Sequence, residues 1–133
     1  MKLKNDFYSV TEAQHSESSV KYTVHLNADH FIYAAHFPGN PITPGVCITQ
    51  IVKELTEDLL QKSLFLKIVK NIKFTQVINP LQHSEIDFVI RCQMSDIRQS
   101  DCRNSDIEHK VSASVESGSV TFAKLSLIFV QIK

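Results

Sequence analysis

The residues best suited to chemistry lie together between His36 and Val46, in the sequence His-Phe-Pro-Gly-Asn-Pro-Ile-Thr-Pro-Gly-Val. This stretch holds three of the four prolines and two of the three glycines, so its backbone is tightly constrained. His36 is titratable, and we expect it at the end of a strand. At the other end we expect Thr43 to cap a helix, Pro44 to be its first residue, and Gly45 to leave the backbone N–H groups unobstructed. A site for a polarised carbonyl group can be built from these parts.

The segment that follows this stretch has the pattern of an amphipathic helix. Its apolar residues recur at helical spacing, polar residues occupy the other side, and the helix is expected to end near Lys62 and Ser63. The apolar set is Ile48, Ile51, Val52, Leu55, Leu59 and Leu60.

The rest of the chain reads mainly as strands. Two are predicted before the helix, at Phe7–Thr11 and Val20–Leu26, joined by a polar turn over Glu12–Ser19. The apolar segment Asp29–Ala35 then leads into His36. Four are predicted after it, at Leu64–Thr75, Glu85–Ser95, Ile107–Val115 and Ser119–Ile132, with a polar connection over Asp96–Asp106. One helix cannot cover both faces of such a sheet, so a second layer is needed.

Length and composition fit one soluble domain spanning residues 1–133. Fourteen basic residues balance fourteen acidic ones, which argues against nucleic acid or an anionic membrane as the partner. No segment is long and apolar enough to span a bilayer, and the first residues do not resemble a signal peptide. The three cysteines lack the spacing of metal ligands, so no metal is expected. Because an odd number of cysteines fits a reducing compartment, the cytoplasm is the predicted location.

The stretch from His36 to Val46 resembles the motif of the 3-hydroxyacyl-acyl carrier protein dehydratase family, His-Phe-Pro-Gly-x-Pro-x-x-Pro-Gly-Val, and matches it at every fixed position. The resemblance extends to about Pro80 through a similar lysine-phenylalanine pair and a following proline turn. It implies an α+β hot-dog fold, in which an antiparallel sheet wraps around one long central helix. It also implies a homodimer, or a higher assembly of dimers, with active sites at the subunit interface.

The resemblance also assigns roles to individual residues. It makes His36 the catalytic base, directs the N–H groups of Gly45 and Val46 at the thioester carbonyl, and places Phe37 against the substrate. The substrate would be an acyl chain carried on the phosphopantetheine of acyl carrier protein, and no separate cofactor is expected. Basic residues near the pocket mouth of such enzymes meet the acidic carrier protein. The local basic run Lys67, Lys70 and Lys73 is a candidate for this role or a solvated strand edge, with Lys70 expected on the opposite face from the other two.

The family motif continues to an acidic residue fourteen positions after the histidine, where this chain has Gln50. A glutamine amide donates a hydrogen bond but delivers no proton near neutral pH. Three interpretations remain open. Gln50 holds a water that does the protonation, a different group (Asp29, Tyr33 or Glu54) supplies the proton, or the pocket only binds acyl chains or is completed by a partner subunit.

Other titratable residues carry weaker signals. His15, His25, His83 and His109 have no partners at ligand spacing, and His30 is expected at a surface or an edge. Cys47 lies close to the helix N-terminus, where a thiol can be activated, but a small buried hydrophobic role is the better interpretation.

The sequence thus predicts a dehydratase that converts (3R)-3-hydroxyacyl-acyl carrier protein to the trans-2-enoyl thioester in fatty-acid or related acyl-chain synthesis. Two alternatives stay open: a non-catalytic acyl-binding or partner subunit, and a hot-dog thioesterase. Acyl chain length and pathway do not follow from the sequence.

Overall fold

Six antiparallel strands and a sixteen-residue helix make up most of the computed structural model, which describes residues 2–36, 39, 41–96 and 107–131. The side chains of residues 36, 94–96 and 107 lie outside this description. In chain order the elements are β1 (Tyr8–His15), β2 (Val20–Leu26), α1 (Phe31–His36), α2 (Gly45–Leu60), β3 (Leu64–Phe74), β4 (Glu85–Asp96), β5 (Ile107–Ser117) and β6 (Val120–Gln131).

The strands form one sheet in the order β1-β2-β4-β5-β6-β3, in which every neighbouring pair is antiparallel. The strand β3 follows α2 directly in sequence, yet it pairs with β6, the last strand of the described chain. The predicted α+β hot-dog fold, with a sheet wrapped around one long helix, is confirmed.

The helix α2 packs on one face of this sheet. Ile51, Val52 and Leu55 on its apolar side are fully buried, whereas Leu59 and Leu60 near its end are partly buried. The inward side chains of the strands alternate with outward polar ones, as in the buried–half-buried pattern of Val20–Leu26. Together they form one core, to which the sheet contributes Val24, Phe88, Ile90, Val111, Val115, Leu125, Leu127 and Phe129.

The segments before α2 differ from the sequence prediction in two ways. The strand β1 runs on to His15, whereas the sequence placed a turn from Glu12 to Ser19. It is an edge strand whose second half is exposed, so its polar residues pair with β2 without an apolar signal.

The approach to His36 is the short helix α1, so the predicted strand-end position of His36 is wrong. The imidazole of His30 caps that helix, because Nδ1 accepts a hydrogen bond from the backbone N–H of Ile32 at 3.2 Å.

The start of α2 also differs in detail. The sequence predicted Pro44 as the first helical residue and Thr43 as its cap, but Pro44 occupies the N-cap position in extended conformation, and no side chain caps the helix. The hydroxyl of Thr43 is engaged elsewhere, with the hydroxyl of Tyr33 at 3.0 Å. The backbone N–H of Thr43 donates to the carbonyl oxygen of Ile78 at 2.8 Å, which fixes the approach to the helix from the other side.

The strand β3 is the second edge of the sheet and carries a row of exposed apolar side chains, Phe65, Ile68, Val69 and Phe74. Its pairing with β6 contains two bulges, between Leu66 and Ile68 and between Val69 and Asn71. Each bulge shifts the alternation of side chains by one position.

Candidate active site

The N-terminus of α2 carries no side chain or acidic residue that would occupy its backbone donors. The first hydrogen bonds in the helix run from the N–H groups of Cys47 and Ile48 to the carbonyl oxygen of Pro44, at 3.0 and 3.1 Å. The N–H groups of Gly45 and Val46 precede these bonds and therefore have no acceptor inside the helix. No acidic residue lies in the first turn, and Val46 is 64% exposed. These two groups, with the positive end of the helix dipole, can receive a polarised carbonyl oxygen.

Gly45 lies directly against the ring of Phe74, a residue that entered the sequence analysis only as part of the lysine-phenylalanine pair. A Cβ atom at position 45 would lie 2.8 Å from Cζ of the Phe74 ring, closer than real Cβ contacts. The ring comes from the end of β3 and is half-exposed, so it covers the helix start from the edge of the sheet. The only sequence signal for this role was the lysine-phenylalanine pair that the chain shares with the dehydratases.

A buried contact between Tyr33 and Thr43 links the segments on either side of the proline-rich stretch. The two hydroxyls lie 3.0 Å apart, and the Tyr33 ring stacks on Phe7 with centroids 5.1 Å apart. Burial raises the pKa of Tyr33 to about 12, although its hydrogen bond with Thr43 lowers it slightly. Tyr33 therefore keeps its proton near neutral pH, and a general acid with this pKa would be poorly matched to that pH.

His36 is the last residue of α1, three positions after Tyr33, but its side chain and the whole of Phe37 lie outside the described residues. The catalytic role of His36 and the substrate contact of Phe37 stay predictions.

Gln50 lies on the same helical face as Glu54, one turn later, and the two side chains are joined. The Nε2 atom of Gln50 donates to Oε2 of Glu54 at 2.8 Å. Gln50 also lines a cleft of about 370 Å³ between α2 and the N-terminal segment. The other lining residues are Lys2, Lys4, Asn5, Lys53, Glu54, Glu57 and Asp58.

Glu54 is a buried carboxylate that anchors the N-terminal segment to α2. Besides Gln50 it accepts hydrogen bonds from the backbone N–H groups of Leu3 and Lys4, each at 2.8 Å, and from the hydroxyl of Tyr8 at 3.0 Å. Burial and the adjacent Glu54 carboxylate raise the pKa of Tyr8 well above its usual value. With four donors on its two oxygens, Glu54 has a structural role, and its geometry does not favour delivery of a proton to a substrate.

Three further residues from the sequence analysis, Asp29, His30 and Cys47, lie near the start of α1 or α2. Asp29 lies exposed in the turn before α1. His30 is buried, contrary to the expected surface or edge position, because its ring packs between Phe7 and Phe31 and its Nε2 contacts a carboxylate oxygen of Asp6 at 3.0 Å. Cys47 is also buried, and burial raises the pKa of its thiol, the opposite of activation.

The three lysines of β3 share the outer face of the sheet, which corrects the prediction that Lys70 lies on the opposite face. Lys67 pairs with Glu108 of β5, Lys73 is in register with the exposed Lys124, and Lys70 lines an outer-face groove together with Arg91 and Lys110. The two bulges in β3 produce this alignment, because each one moves the following side chains to the other face.

No helix in the described ranges is long and apolar enough to cross a membrane.

Comparison with known proteins places the sequence of this chain among dehydratases. Residues 12–115 match the sequence model of the ApeI-like family, described as ApeI dehydratase. The chain is 26% identical over 105 residues to a 3-hydroxyacyl-acyl-carrier-protein dehydratase of Lactobacillus helveticus, covering 74% of this chain and 70% of that protein. A dehydratase of the same name from Rickettsia massiliae is 30% identical over 73 residues, 49% of this chain and 50% of that one. The chain thus spans about half the length of some curated relatives that it matches.

Two solved structures share the fold. The dehydratase heterocomplex ApeI:P from Xenorhabdus doucetiae has a TM-score of 0.59 at 13% identity, over 92% of this chain and 96% of that one. An uncharacterized protein from Erwinia carotovora subsp. atroseptica has a TM-score of 0.59 at 20% identity, over 91% of each chain. At these identities the two structures support the fold alone.

Proposed function

The chain belongs to the ApeI-like dehydratase family, and from this premise we propose that it removes water from (3R)-3-hydroxyacyl thioesters carried on acyl carrier protein, giving trans-2-enoyl thioesters. The observation that carries the proposal is the uncapped N-terminus of α2, with the donors of Gly45 and Val46 and no acidic residue in its first turn. This N-terminus is formed by the last two residues of the motif that begins with His36.

In the proposed reaction His36 removes a proton from C2 of the substrate. The negative charge that develops on the thioester oxygen is stabilised by the N–H groups of Gly45 and Val46 and by the helix dipole. The hydroxyl at C3 takes a proton from a second water molecule and leaves as water, and the proton held by His36 then returns to the hydroxide that remains. The carbon chain keeps the electron pair of the broken C2–H bond as the new double bond.

Gln50 is proposed to position the water that protonates the departing hydroxyl. Its amide is oriented by the 2.8 Å hydrogen bond to Glu54, which fixes the nitrogen as the donor in that contact. Of the three alternative acids, Glu54 has its oxygens occupied, Tyr33 has a pKa near 12, and Asp29 is exposed in a turn. A water held by Gln50 is a weaker acid than a carboxyl group, so a slow or specialised dehydratase is expected.

We further propose that the active protein is a homodimer, or an assembly of dimers, joined along β3. The exposed apolar residues of this edge strand continue at the start of α2, where Val46 is exposed, and in the following segment at Val77. An unpaired strand edge with such side chains favours addition of a second strand. The acidic carrier protein would present the phosphopantetheine-bound substrate, with no further cofactor, and the cytoplasm is the proposed compartment.

The test is turnover of a 3-hydroxyacyl-acyl carrier protein thioester by the purified full chain, followed by mass spectrometry for loss of water. His36→Ala should abolish turnover, Gln50→Glu should raise it, and His25→Ala, a matched change at an exposed position of β2, should leave it unchanged. Turnover that survives His36→Ala would refute the assigned base. Release of a free thiol would identify a thioesterase.

A second candidate, favoured by Gln50, is a non-catalytic acyl-binding or partner subunit. The structural likeness to one chain of a dehydratase heterocomplex is compatible with it. In that case the native chain alone is inactive, and it gains turnover either by Gln50→Glu or by addition of a chain that carries the acidic residue.

A further inference from the structure

The outer face of the sheet, which is turned away from α2, carries a patch of positive charge. Four exposed cations from four neighbouring strands form this basic patch: Arg91 on β4, Lys110 on β5, Lys124 on β6 and Lys70 on β3. None of them forms an ion pair with a residue in the part of the chain that the structure describes. Like charges on neighbouring strands repel one another, so an anion bound among them is favoured.

The register of the sheet arranges the basic patch around two hydroxyl groups. Arg91 is paired with Ser112 across β4 and β5, and Ser112 is paired with Ser126 across β5 and β6. One row of the sheet therefore holds a guanidinium group and two hydroxyl groups side by side. Lys110 lies two residues before Ser112 and is diagonal to Arg91, where Cβ atoms are about 7–8 Å apart. The long side chains of both residues can reach a ligand placed over Ser112.

Two shallow depressions of about 460 and 320 Å³ meet on this row. Arg91, Ser112 and Ser126 line both depressions, while Lys124 lines the larger one and Lys110 the smaller one. Because a guanidinium group and two hydroxyl groups line the shared part, the ligand that fits it is a hydrophilic anion and not an acyl chain.

Carboxylates mark the limits of the basic patch along β5. Glu108, two residues before Lys110, pairs with Lys67, and Glu116 at the other end accepts a hydrogen bond from the hydroxyl of Ser114 at 2.8 Å. The outward-facing residues between these carboxylates, from position 110 to position 114, span about 14 Å of strand. A patch of this length fits a compact ligand, whereas negative charge at both ends disfavours a long anionic strand such as nucleic acid.

The basic patch and the proposed catalytic site lie on different sides of the sheet. The buried residues of α2 pack on the inner face, together with inward-facing strand residues such as Val111 and Leu125, the neighbours of the patch residues in sequence. The inference below therefore does not depend on the proposed dehydratase activity.

We propose that the basic patch binds a compact anion that carries two phosphate groups. One phosphate group lies over Ser112 and Ser126, where Arg91 donates two parallel hydrogen bonds and the hydroxyl groups donate further ones. Lys70 and Lys110 neutralise the second phosphate group. A single phosphate group would leave most of the four cations unpaired, and a second copy of the chain is disfavoured because two such faces repel each other.

The experiment is a titration of the isotope-labelled full chain with sodium diphosphate at constant ionic strength, followed by two-dimensional NMR of the backbone amides. We expect saturable shifts on β4, β5 and β6 around the shared row, and weaker binding of inorganic phosphate. Arg91→Gln should weaken diphosphate binding about tenfold, the effect of one lost charge-assisted contact. Arg91→Lys, which keeps the charge but loses the two parallel hydrogen bonds, should weaken it about threefold. Lys53→Gln, which removes one positive charge from α2 on the other side of the sheet, should leave it unchanged.

These substitutions lie outside the buried core, so each variant should unfold at the same urea concentration as the native chain. The proposal is overturned if diphosphate causes no saturable shifts on these strands, or if Arg91→Gln binds it as tightly as the native chain does. Shifts only at residues 45–47 would also overturn it, because they would report the uncapped start of α2 as the anion site. So would inorganic phosphate that binds as tightly as diphosphate. Tighter binding of this face to a single-stranded DNA of about ten nucleotides, or to an acidic carrier protein, would assign the face to a macromolecule instead.

Discussion

Replacing Gln50 by glutamate should give the protein a stability that falls as the pH rises. The native amide nitrogen lies 2.8 Å from Oε2 of Glu54, so the substitution places a second carboxyl group against a carboxylate. Two unit charges about 4 Å apart interact by about 4 kcal/mol at an effective dielectric constant of about 20. This repulsion corresponds to an upward shift of about three pKa units for the introduced group.

The sign follows from proton linkage. With a folded-state pKa raised from about 4.3 to about 7, the introduced group binds more protons in the folded chain than in the unfolded one between these values. The penalty is therefore small below about pH 4.3, grows as the pH rises, and levels off above about pH 7 near 4 kcal/mol. With a urea m-value of about 2 kcal/mol/M, the midpoint should then fall by about 2 M.

The assay is urea unfolding at closely spaced pH values from about 4 to 9, with the native chain and Gln50→Met as controls. The methionine variant loses the hydrogen bond to Glu54 but adds no charge, so its curve should run parallel to that of the native chain. The double variant Gln50→Glu with Glu54→Gln retains one carboxyl group and should lose most of the pH dependence. If Gln50→Glu also runs parallel to the native chain, the contact with Glu54 does not exist in solution.

Three further predictions concern the helix start and the sheet edge. Gly45→Ala should cost less than about 1 kcal/mol in urea unfolding, because the added Cβ must displace the half-exposed Phe74 ring, which lies 2.8 Å from it. In the Phe74→Ala background the same change should stabilise by up to about 1 kcal/mol, the helix preference for alanine over glycine; equal effects in both backgrounds would contradict the contact. Tyr33→Phe should lower the free energy of unfolding by about 1–2 kcal/mol, because the Thr43 hydroxyl loses its buried partner. As a control, Tyr22→Phe removes a hydroxyl that has no hydrogen bond to the described residues, and it should be nearly neutral. Val69→Lys, on the exposed edge strand β3, should shift the protein toward monomer in sedimentation, whereas Leu81→Lys, at an exposed apolar residue outside the strands, should not. An unchanged dimer would place the interface elsewhere.

The parts of the fold that the sequence predicted are those with a strong periodic signal. The apolar spacing from Ile48 to Leu60 predicted α2, and the alternation of Val20–Leu26 predicted β2. The second half of β1 was missed because an exposed edge strand needs no apolar alternation, and α1 was missed because six residues are too few to show a helical period.

The sequence predicted the backbone of the candidate site better than it predicted which groups its side chains contact. The glycine and prolines indicated a helix start with unobstructed N–H groups, which the sequence put at Pro44 and the structure puts one residue later, at Gly45. The role of Thr43 was wrong because its hydroxyl bonds to Tyr33, ten residues away, and local sequence does not reveal such a competitor. The position of Lys70 was wrong because a bulge reverses the alternation of β3, and no residue type marks these bulges.

The pairing of β3 with β6 also determines the order in which the chain can fold during synthesis. Leu64 pairs with Gln131, so β3 leaves the ribosome long before its only sheet neighbour among the described strands is made. Such contacts between distant parts of the sequence form late, and until then an apolar strand remains without a partner. The nascent chain therefore presents β3 to chaperones or to other chains from the time β3 emerges until β6 is made. Loss of β6 would leave both β3 and β5 unpaired on the sides that β6 covers.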